Sequence, residues 1–186
     1  AAGSCTERGG IRFSIGANTQ WYASEFSQRL ARLFGVPAIA AESVERSAEL
    51  KLINRTATIV WQRVLGFAGA DISTKRIPDI VFNVDESLRL EFLRGYLLGH
   101  LSDDLATSSP QLVFATSSYD VASGLMYCLS SLGVIASLSE RDPDGVAHSA
   151  LTQAAGSKLR HWTISVAAKE DIAKLQLVWR DHADAV

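Results

Sequence analysis

The chain has 186 residues, of which 47% are hydrophobic and 20% charged, and its net charge at pH 7 is −2. This composition is typical of a globular protein and excludes a disordered chain. The length fits one sizeable domain or two small, tightly packed halves.

Several classes of protein are disfavoured by simple counts. The apolar runs are shorter than the roughly 18 residues that a membrane span needs, and no signal-peptide pattern opens the chain. Cys5 and Cys128 are too few for a disulfide framework. We therefore expect an intracellular protein with no membrane partner.

The charge is unevenly distributed along the chain. Residues 1–75 carry nine Lys or Arg and six Asp or Glu, a net charge of +3, whereas residues 76–186 carry nine and fourteen, a net charge of −5. A surface for nucleic acid would therefore be a local basic patch rather than the whole exterior.

The first half predicts a mixture of strands and helices. The segment from Ala1 to Gly10 is short, polar and rich in glycine, which is typical of turns. Ile11, Phe13 and Ile15 alternate with polar residues and predict a half-buried strand. The further predicted elements are a helix from Asn18 to about Phe34 that ends at Gly35, strands at 36–41 and 49–53, and a helix from Thr56 to about Phe67.

The second half begins with an apolar helix at 87–100, in which Gly95 and Gly99 lie on one face. Two glycines on one helix face favour close approach of another backbone. The following predicted elements are a strand at 112–116, a helix capped by Ser118 and ended by Gly133, strands at 134–139 and 159–166, and a helix at 169–180.

The two halves repeat one pattern. The first half has a strand at Ile11, then a helix, then Gly35. The second half has the same order, with a strand at Leu112, a helix and Gly133. Such self-similarity predicts two copies of one supersecondary unit, at 1–75 and 76–186, related by a pseudo-two-fold axis.

The segment FLRGYLLGHL, residues 92–101, resembles the LAGLIDADG motif of homing endonucleases, in the form carried inside inteins. Lys75–Pro78 is similar to the lead-in that precedes the second motif of such domains, and residues 114–141 resemble the strand–helix–strand unit that follows it. The resemblance implies an α+β fold of two αββαββα repeats. The first motif helix is expected to be missing or truncated, because Ala1-Ala2-Gly3 matches only the tail of a motif.

In that family the two motif helices pack together at the centre. The resemblance implies that Gly95 and Gly99 lie at this helix contact. The resemblance also implies hydrolysis of both DNA strands by Mg²⁺ ions that a carboxylate at the foot of each motif helix holds. The matching positions here are Ala2 and His100, and neither supplies a carboxylate. We therefore expect DNA binding with cleavage lost.

Two alternatives remain open from the sequence. One is an active Mg²⁺-dependent endonuclease. In it, either Asp103 or Asp104 substitutes for the family's acids, or the acids of an active enzyme have been removed by deliberate mutation. The other is a repurposed DNA-binding or structural module. Apart from Mg²⁺ in an active form, no cofactor is predicted, because the histidines and cysteines lack the spacing of a metal site.

The expected partner is double-stranded DNA, together with a host protein if the domain is embedded in an intein. In this family the strands of both repeats form a saddle along the duplex, and its exposed Arg and Lys contact phosphates or guanine edges. We expect a monomer with an internal pseudo-dimer, or a homodimer if the first motif helix is truly absent. The candidate contacts are Arg8, Arg12, Lys51, Arg141, Lys158 and Arg160.

Overall fold

A computed structural model of the protein describes residues 2–6, 10–15, 23–36, 39–42, 48–67, 72–100, 111–141 and 160–175. Contacts divide the chain into two units, the first formed by Ala1–Ala70 and Pro78–Thr107 and the second by Asp71–Ile77 and Ser108–Val186. The repeat boundary after residue 75 remains a prediction, since it concerns sequence similarity and not contacts. Within the described ranges, no helix has the length and apolarity required to cross a membrane.

The first unit contains a four-stranded antiparallel sheet, sheet 1, with strand order β1-β2-β4-β3. Its strands are β1 (Ala2–Thr6), β2 (Gly10–Ile15), β3 (Ile39–Glu42) and β4 (Ala48–Leu52). Its helical elements are α1 (Ala23–Phe34), α2 (Arg55–Ile59), a π-helical turn (Val60–Val64), a 3₁₀ turn (Asp79–Asn83) and α3 (Glu86–His100).

One face of sheet 1 is covered by an apolar core. Ile11 of β2 pairs with Leu52 of β4, Phe13 pairs with Leu50, and all four side chains are buried. Leu30 of α1 belongs to the same buried cluster. Because strand side chains alternate between faces, the residues between these positions lie on the opposite face.

Aromatic rings fill the edge of this core. The ring of Phe13 is 4.9 Å from that of Phe26 and 5.3 Å from that of Trp61, and both contacts are edge-to-face. Trp61 also stacks on Phe67 at 5.4 Å. Trp61 thus packs the π-helical turn against the core. Helical backbone therefore extends beyond the five residues of α2.

Two predictions for the first unit are wrong in part. The segment expected to consist of turns forms strand β1, in which Cys5 is buried opposite Ile11. The helix expected from Thr56 begins at Arg55, because Asn54 is its N-cap and accepts a hydrogen bond from Ala57 N–H at 2.9 Å. The predicted end of α1 at Gly35 is confirmed by its φ of 68° and its hydrogen bond to Ala31.

The second unit contains a three-stranded antiparallel sheet, sheet 2, with strand order β5-β7-β6. This is the order of β2-β4-β3 in sheet 1, with a helix after the first strand in both cases. The elements are β5 (Leu112–Thr116), α4 (Tyr119–Ser131), β6 (Ser137–Arg141) and β7 (His161–Val166), followed by helical residues 169–175.

The core of the second unit forms between sheet 2 and α4. Leu112 and Phe114 of β5 pair with Val166 and Ile164 of β7, and all four are buried. Helix α4 contributes buried Leu125, Cys128 and Leu129 and contacts all three strands. At the end of this core, Tyr119 meets Trp162 edge-to-face at 4.8 Å. Both cysteines of the chain are buried and free, and Cys128 lies on the apolar face of α4 as the sequence predicted.

The predicted cap of α4 is confirmed. Ser118 is fully buried, its Oγ accepts a hydrogen bond from Val121 N–H at 3.2 Å, and the same hydroxyl donates to the Lys75 carbonyl. The hydroxyl thus ties the Lys75 segment to the helix start. The predicted helix end at Gly133 is confirmed as well, with φ of 67°. The strand expected from Val134 begins later, at Ser137.

Replacing Ser118 by Ala should destabilise the protein by about 1–3 kcal/mol, because a helix cap is lost and the partly buried Lys75 carbonyl loses the Ser118 hydroxyl as a donor. Urea unfolding with and without the substitution measures this difference. The control is Ser123→Ala, since the Ser123 hydroxyl donates to the exposed Asp120 carbonyl within its own helix. Equal unfolding midpoints for the two variants would contradict the capping role.

The buried carboxylate of Asp171 connects the segment that follows α4 to the helical residues 169–175. Asp171 accepts a hydrogen bond from Ile135 N–H at 3.0 Å, and its second oxygen is 3.2 Å from Lys174 Nζ. The Ile135 bond, followed by the bond from Lys174, lowers the pKa of Asp171. Since the folded-state pKa lies below the unfolded one, this stabilisation is present above the unfolded pKa and is lost as pH falls through the folded value.

We therefore expect Asp171→Asn to lower the melting temperature at pH 7, with a gap to wild type that closes below about pH 4, near the ordinary carboxyl pKa. Calorimetry between pH 2.5 and 7 tests this. Glu170→Gln, which removes an exposed neighbouring carboxylate, should show no such pH-dependent gap. A gap for Asp171→Asn that stays constant down to pH 2.5 would show that the lowered pKa does not stabilise the fold.

Candidate nucleic-acid interface

The face of sheet 1 opposite its core carries two of the predicted DNA contacts. Arg12 lies between buried Ile11 and Phe13, and Lys51 lies between buried Leu50 and Leu52. We call this surface the open face of sheet 1; its described side chains are Ser4, Arg12, Ser14, Glu49 and Lys51.

Arg12 and Lys51 face each other across the two interior strands of the sheet. Their side chains are 51% and 32% exposed, so both reach solvent from the middle of the open face. Like charges directly opposite each other on a sheet destabilise it. A partner that brings negative charge, such as a phosphate backbone, would relieve that repulsion.

A carboxylate that was not among the predicted contacts lies beside this pair. Glu49 Oε2 is 3.3 Å from Lys51 Nζ, and Glu49 Oε1 is 4.0 Å from Arg12 Nη1. Two cations and one carboxylate leave this part of the open face with a net charge of +1. Exposed ion pairs of this kind contribute only about 0.2–1 kcal/mol, so a phosphate can compete for either cation.

The corresponding face of sheet 2 is uncharged in its middle. Ser137 Oγ lies 2.7 Å from Ser165 Oγ across neighbouring strands, and Thr163 and Ser139 occupy the next pair in register. Hydroxyl groups donate to phosphates and base edges without adding charge. The described side chains on the open face of sheet 2 are Val113, Ala115, Ser137, Ser139, His161, Thr163 and Ser165, of which Thr163 is buried.

Of the three basic contacts predicted in the second unit, the two that the structure describes occupy different positions. Arg141 is the last residue of β6 and pairs with His161, a register position on the open face of sheet 2. Arg160 lies just before β7 and does not alternate with the core, and its role as a DNA contact stays a prediction. It precedes Trp162 and Ile164 by two and four residues, which is core parity, and its Nη1 is 3.2 Å from Glu140, the register partner of Trp162.

Helix α3 contains the motif-like segment in its second half. Leu93 and Leu97 are buried, and burial also raises the pKa of Tyr96. Gly95 is exposed, and a Cβ built on it would meet no heavy atom within 4 Å. Among the described residues, therefore, no backbone approaches Gly95, and its packing role, like that of Gly99 in the last turn, remains a prediction.

The positions of the family's acids are placed only in part. Ala2 is the first residue of β1 and His100 is the last residue of α3. Asp103 and Asp104 lie outside the described residues, as do the predicted contacts Arg8 and Lys158. Over the part of the chain that the structure describes, no group of three or more His, Cys, Asp or Glu residues could hold a metal ion.

A further cation was not among the predicted contacts. Lys75 is half-buried, and desolvation lowers its pKa. In the ranges that the structure covers, no carboxylate forms an ion pair with it, although its carbonyl is fixed by Ser118. A lysine held in this way has the chemistry to neutralise a phosphate oxygen. The sequence could have indicated Lys75 as a candidate contact, because it is the first residue of the lead-in segment Lys75–Pro78.

Comparison with known proteins identifies the fold. No family model matches the sequence. Among solved structures, the chain is similar to mesophilic variants of the homing endonuclease I-DmoI, with a TM-score of 0.61 and 11% sequence identity over 90% of this chain and 79% of that chain. The expected α+β fold of the LAGLIDADG homing endonucleases, with two small antiparallel sheets, is thereby confirmed.

Proposed function

We propose that the chain is a duplex-DNA-binding domain of the LAGLIDADG homing-endonuclease type, which binds through the open faces of its sheets and does not cleave. The observation that carries this proposal is the pair Arg12 and Lys51 at the centre of sheet 1, in a fold similar to that of a homing endonuclease. An origin inside an intein, with a host protein around it, is part of the proposal and rests on Lys75–Pro78 and the motif-like helix.

The chemistry of the open faces suits DNA. The Arg12 guanidinium matches the O6 and N7 acceptors of guanine or a phosphate, and Lys51 acts as a point charge for phosphate. The hydroxyls of sheet 2 supply uncharged donors. Lys75, which lies outside both sheets, adds a third cation, and no described carboxylate pairs with it.

The proposal excludes cleavage because of the donor groups at the two acid positions. Mg²⁺ prefers carboxylate and water oxygens, whereas Ala2 has no ligand atom and His100 offers an imidazole nitrogen. These residues do not fit the ion. Asp103 and Asp104 are the remaining alternative for an active enzyme, and activity itself tests them.

Binding is tested by fluorescence polarisation of a labelled 30-bp duplex titrated with the protein between 50 and 200 mM KCl. Release of counterions from phosphates should make the affinity fall steeply with salt, with a slope of about −0.9 per phosphate contacted. No binding of the duplex at 50 mM KCl would overturn the proposed function.

Cleavage is tested by incubating supercoiled plasmid with the protein and 10 mM Mg²⁺. The proposal expects no nicking by the wild type, whereas nicking that disappears in an Asp103→Asn, Asp104→Asn variant would establish the active alternative. If positions 2 and 100 correspond to the family's acidic positions, the double variant Ala2→Asp, His100→Asp should bind Mg²⁺ more tightly than wild type in isothermal titration. Unchanged Mg²⁺ affinity would contradict that correspondence.

The proposal includes a second helix on the exposed side of α3, either from a second copy of the chain or from a segment before Ala1. Because nothing described lies within 4 Å of a Cβ at Gly95, Gly95→Leu should leave the fold of one chain intact and stabilise α3 slightly. If two chains pack there, light scattering should show a wild-type dimer and a monomeric variant. A wild-type dimer that Gly95→Leu leaves intact would place the contact elsewhere.

A further inference from the structure

We propose that Glu49 determines sequence specificity, by accepting a hydrogen bond from the exocyclic amino group of a base in the major groove. This inference rests on the proposed function, since it requires that the open face of sheet 1 meets DNA. The amino group in question is N4 of cytosine or N6 of adenine, the two base donors that the major groove presents.

The position of Glu49 favours contact with a partner of the open face. Its strand, β4, is one of the two interior strands, and its register neighbours are Ser14 and Ala41. Both register neighbours have smaller side chains than Glu49, so the long side chains beside its carboxylate are those of Arg12 and Lys51. It shares its face with Arg12 and Lys51, and 25% of its side chain is exposed in the free protein.

The charge of Glu49 is unfavourable for phosphate binding. A carboxylate between two cations cancels part of the attraction of the open face for DNA and repels the phosphates. Among the side chains that the structure describes on this face, it is the one carboxylate. Its electrostatic cost would be offset if the carboxylate met a hydrogen-bond donor, and in a duplex such donors lie on base edges.

The ion pairs of Glu49 are loose enough to be exchanged. The contact with Lys51 is 3.3 Å and that with Arg12 is 4.0 Å, at the limit of an ion pair. An ionised carboxylate only accepts hydrogen bonds, so it matches the amino groups of cytosine and adenine and is repelled by the acceptors N7 and O6 of guanine. Arg12 has the opposite preference, since a guanidinium donates to the acceptors of guanine. Arg12 and Glu49 are diagonal neighbours on the sheet, and the roughly 7–8 Å between such positions corresponds to about two base steps.

The experiment selects duplexes from a library with 20 randomised central base pairs, using wild type, Glu49→Gln and Glu49→Asp. We expect the wild-type motif to contain a position that requires cytosine or adenine. Both variants should lose the preference at that position by roughly tenfold and keep the rest of the motif, since Gln presents an amide in place of two acceptors and Asp is too short.

The matched control is Glu140→Gln, which removes the same charge from an ion pair with Arg160, at the register position of Trp162. It should select the wild-type motif. Circular dichroism confirms that each variant is folded. If Glu49→Gln selects the wild-type motif and binds every sequence more tightly by the same factor, Glu49 acts only through its charge and this inference is overturned. If the wild type retains no duplex at all, the proposed function fails as well.

Discussion

Replacing both Arg12 and Lys51 by Ala should lower the affinity for a 30-bp duplex about a hundredfold at 100 mM KCl, since loss of a phosphate or guanine contact costs roughly 1–3 kcal/mol. The slope of log affinity against log salt should become shallower by up to about two units, because two fewer counterions are released. Fluorescence polarisation over a series of salt concentrations measures both quantities.

The control is Arg29→Ala, Arg32→Ala, which removes the same charge from the exposed side of α1, the helix that covers the core face of the same sheet. If binding were a matter of net charge alone, both double variants would lose affinity equally. That result would remove the open face of sheet 1 as the binding surface, whereas a loss confined to the Arg12 and Lys51 variant would support it.

Replacing Gly10 by Ala should destabilise the first unit by roughly 3 kcal/mol or more. Gly10 has a φ of 74°, where a side chain is strained, and a Cβ there would collide with the Leu52 carbonyl oxygen and lie 3.2 Å from Ile53 Cα. Both obstacles are backbone atoms, one in the last residue of β4 and one in the residue after it, so relief requires movement of the end of the strand that carries Glu49 and Lys51. The melting temperature should fall by about 6–12 °C.

Gly133→Ala separates the two causes. Its φ of 67° is also positive, but a Cβ there would meet nothing within 4 Å. This substitution should therefore cost only the conformational strain, about 1–2 kcal/mol. Equal shifts in melting temperature for the two variants, measured by calorimetry, would show that the close approach of the Gly10 backbone to β4 carries no additional cost.

Sequence patterns predicted those elements whose signals are local. Alternation identified β2 from Ile11, Phe13 and Ile15, and the helix boundaries at Gly35, Ser118 and Gly133 follow from the chemistry of single residues. Strand β1 was missed because its small and polar residues carry little alternation, and its pairing with β2 makes it a strand. The π-helical turn depends on the packing of Trp61, which no local pattern encodes.

The candidate interface was predicted less completely, for reasons of register. Arg12 and Lys51 follow from parity within their own strands, but their juxtaposition across β2 and β4 requires the strand pairing. The same pairing brings Glu49 beside them. The strand expected from Leu159 begins at His161, so Arg160 precedes β7 and does not belong to its alternation, although its role as a DNA contact stays a prediction.

The aromatic contacts give each unit its own spectroscopic reporter. Trp61 lies against Phe13 and Phe67 in the first unit, and Trp162 lies against Tyr119 in the second. With Trp21 and Trp179 replaced by Phe, emission from a variant that keeps one of the two remaining indoles would follow the unfolding of one unit alone. Coincident denaturation curves for the two single-indole proteins would mean that the units melt together, and separate curves would rank their stabilities.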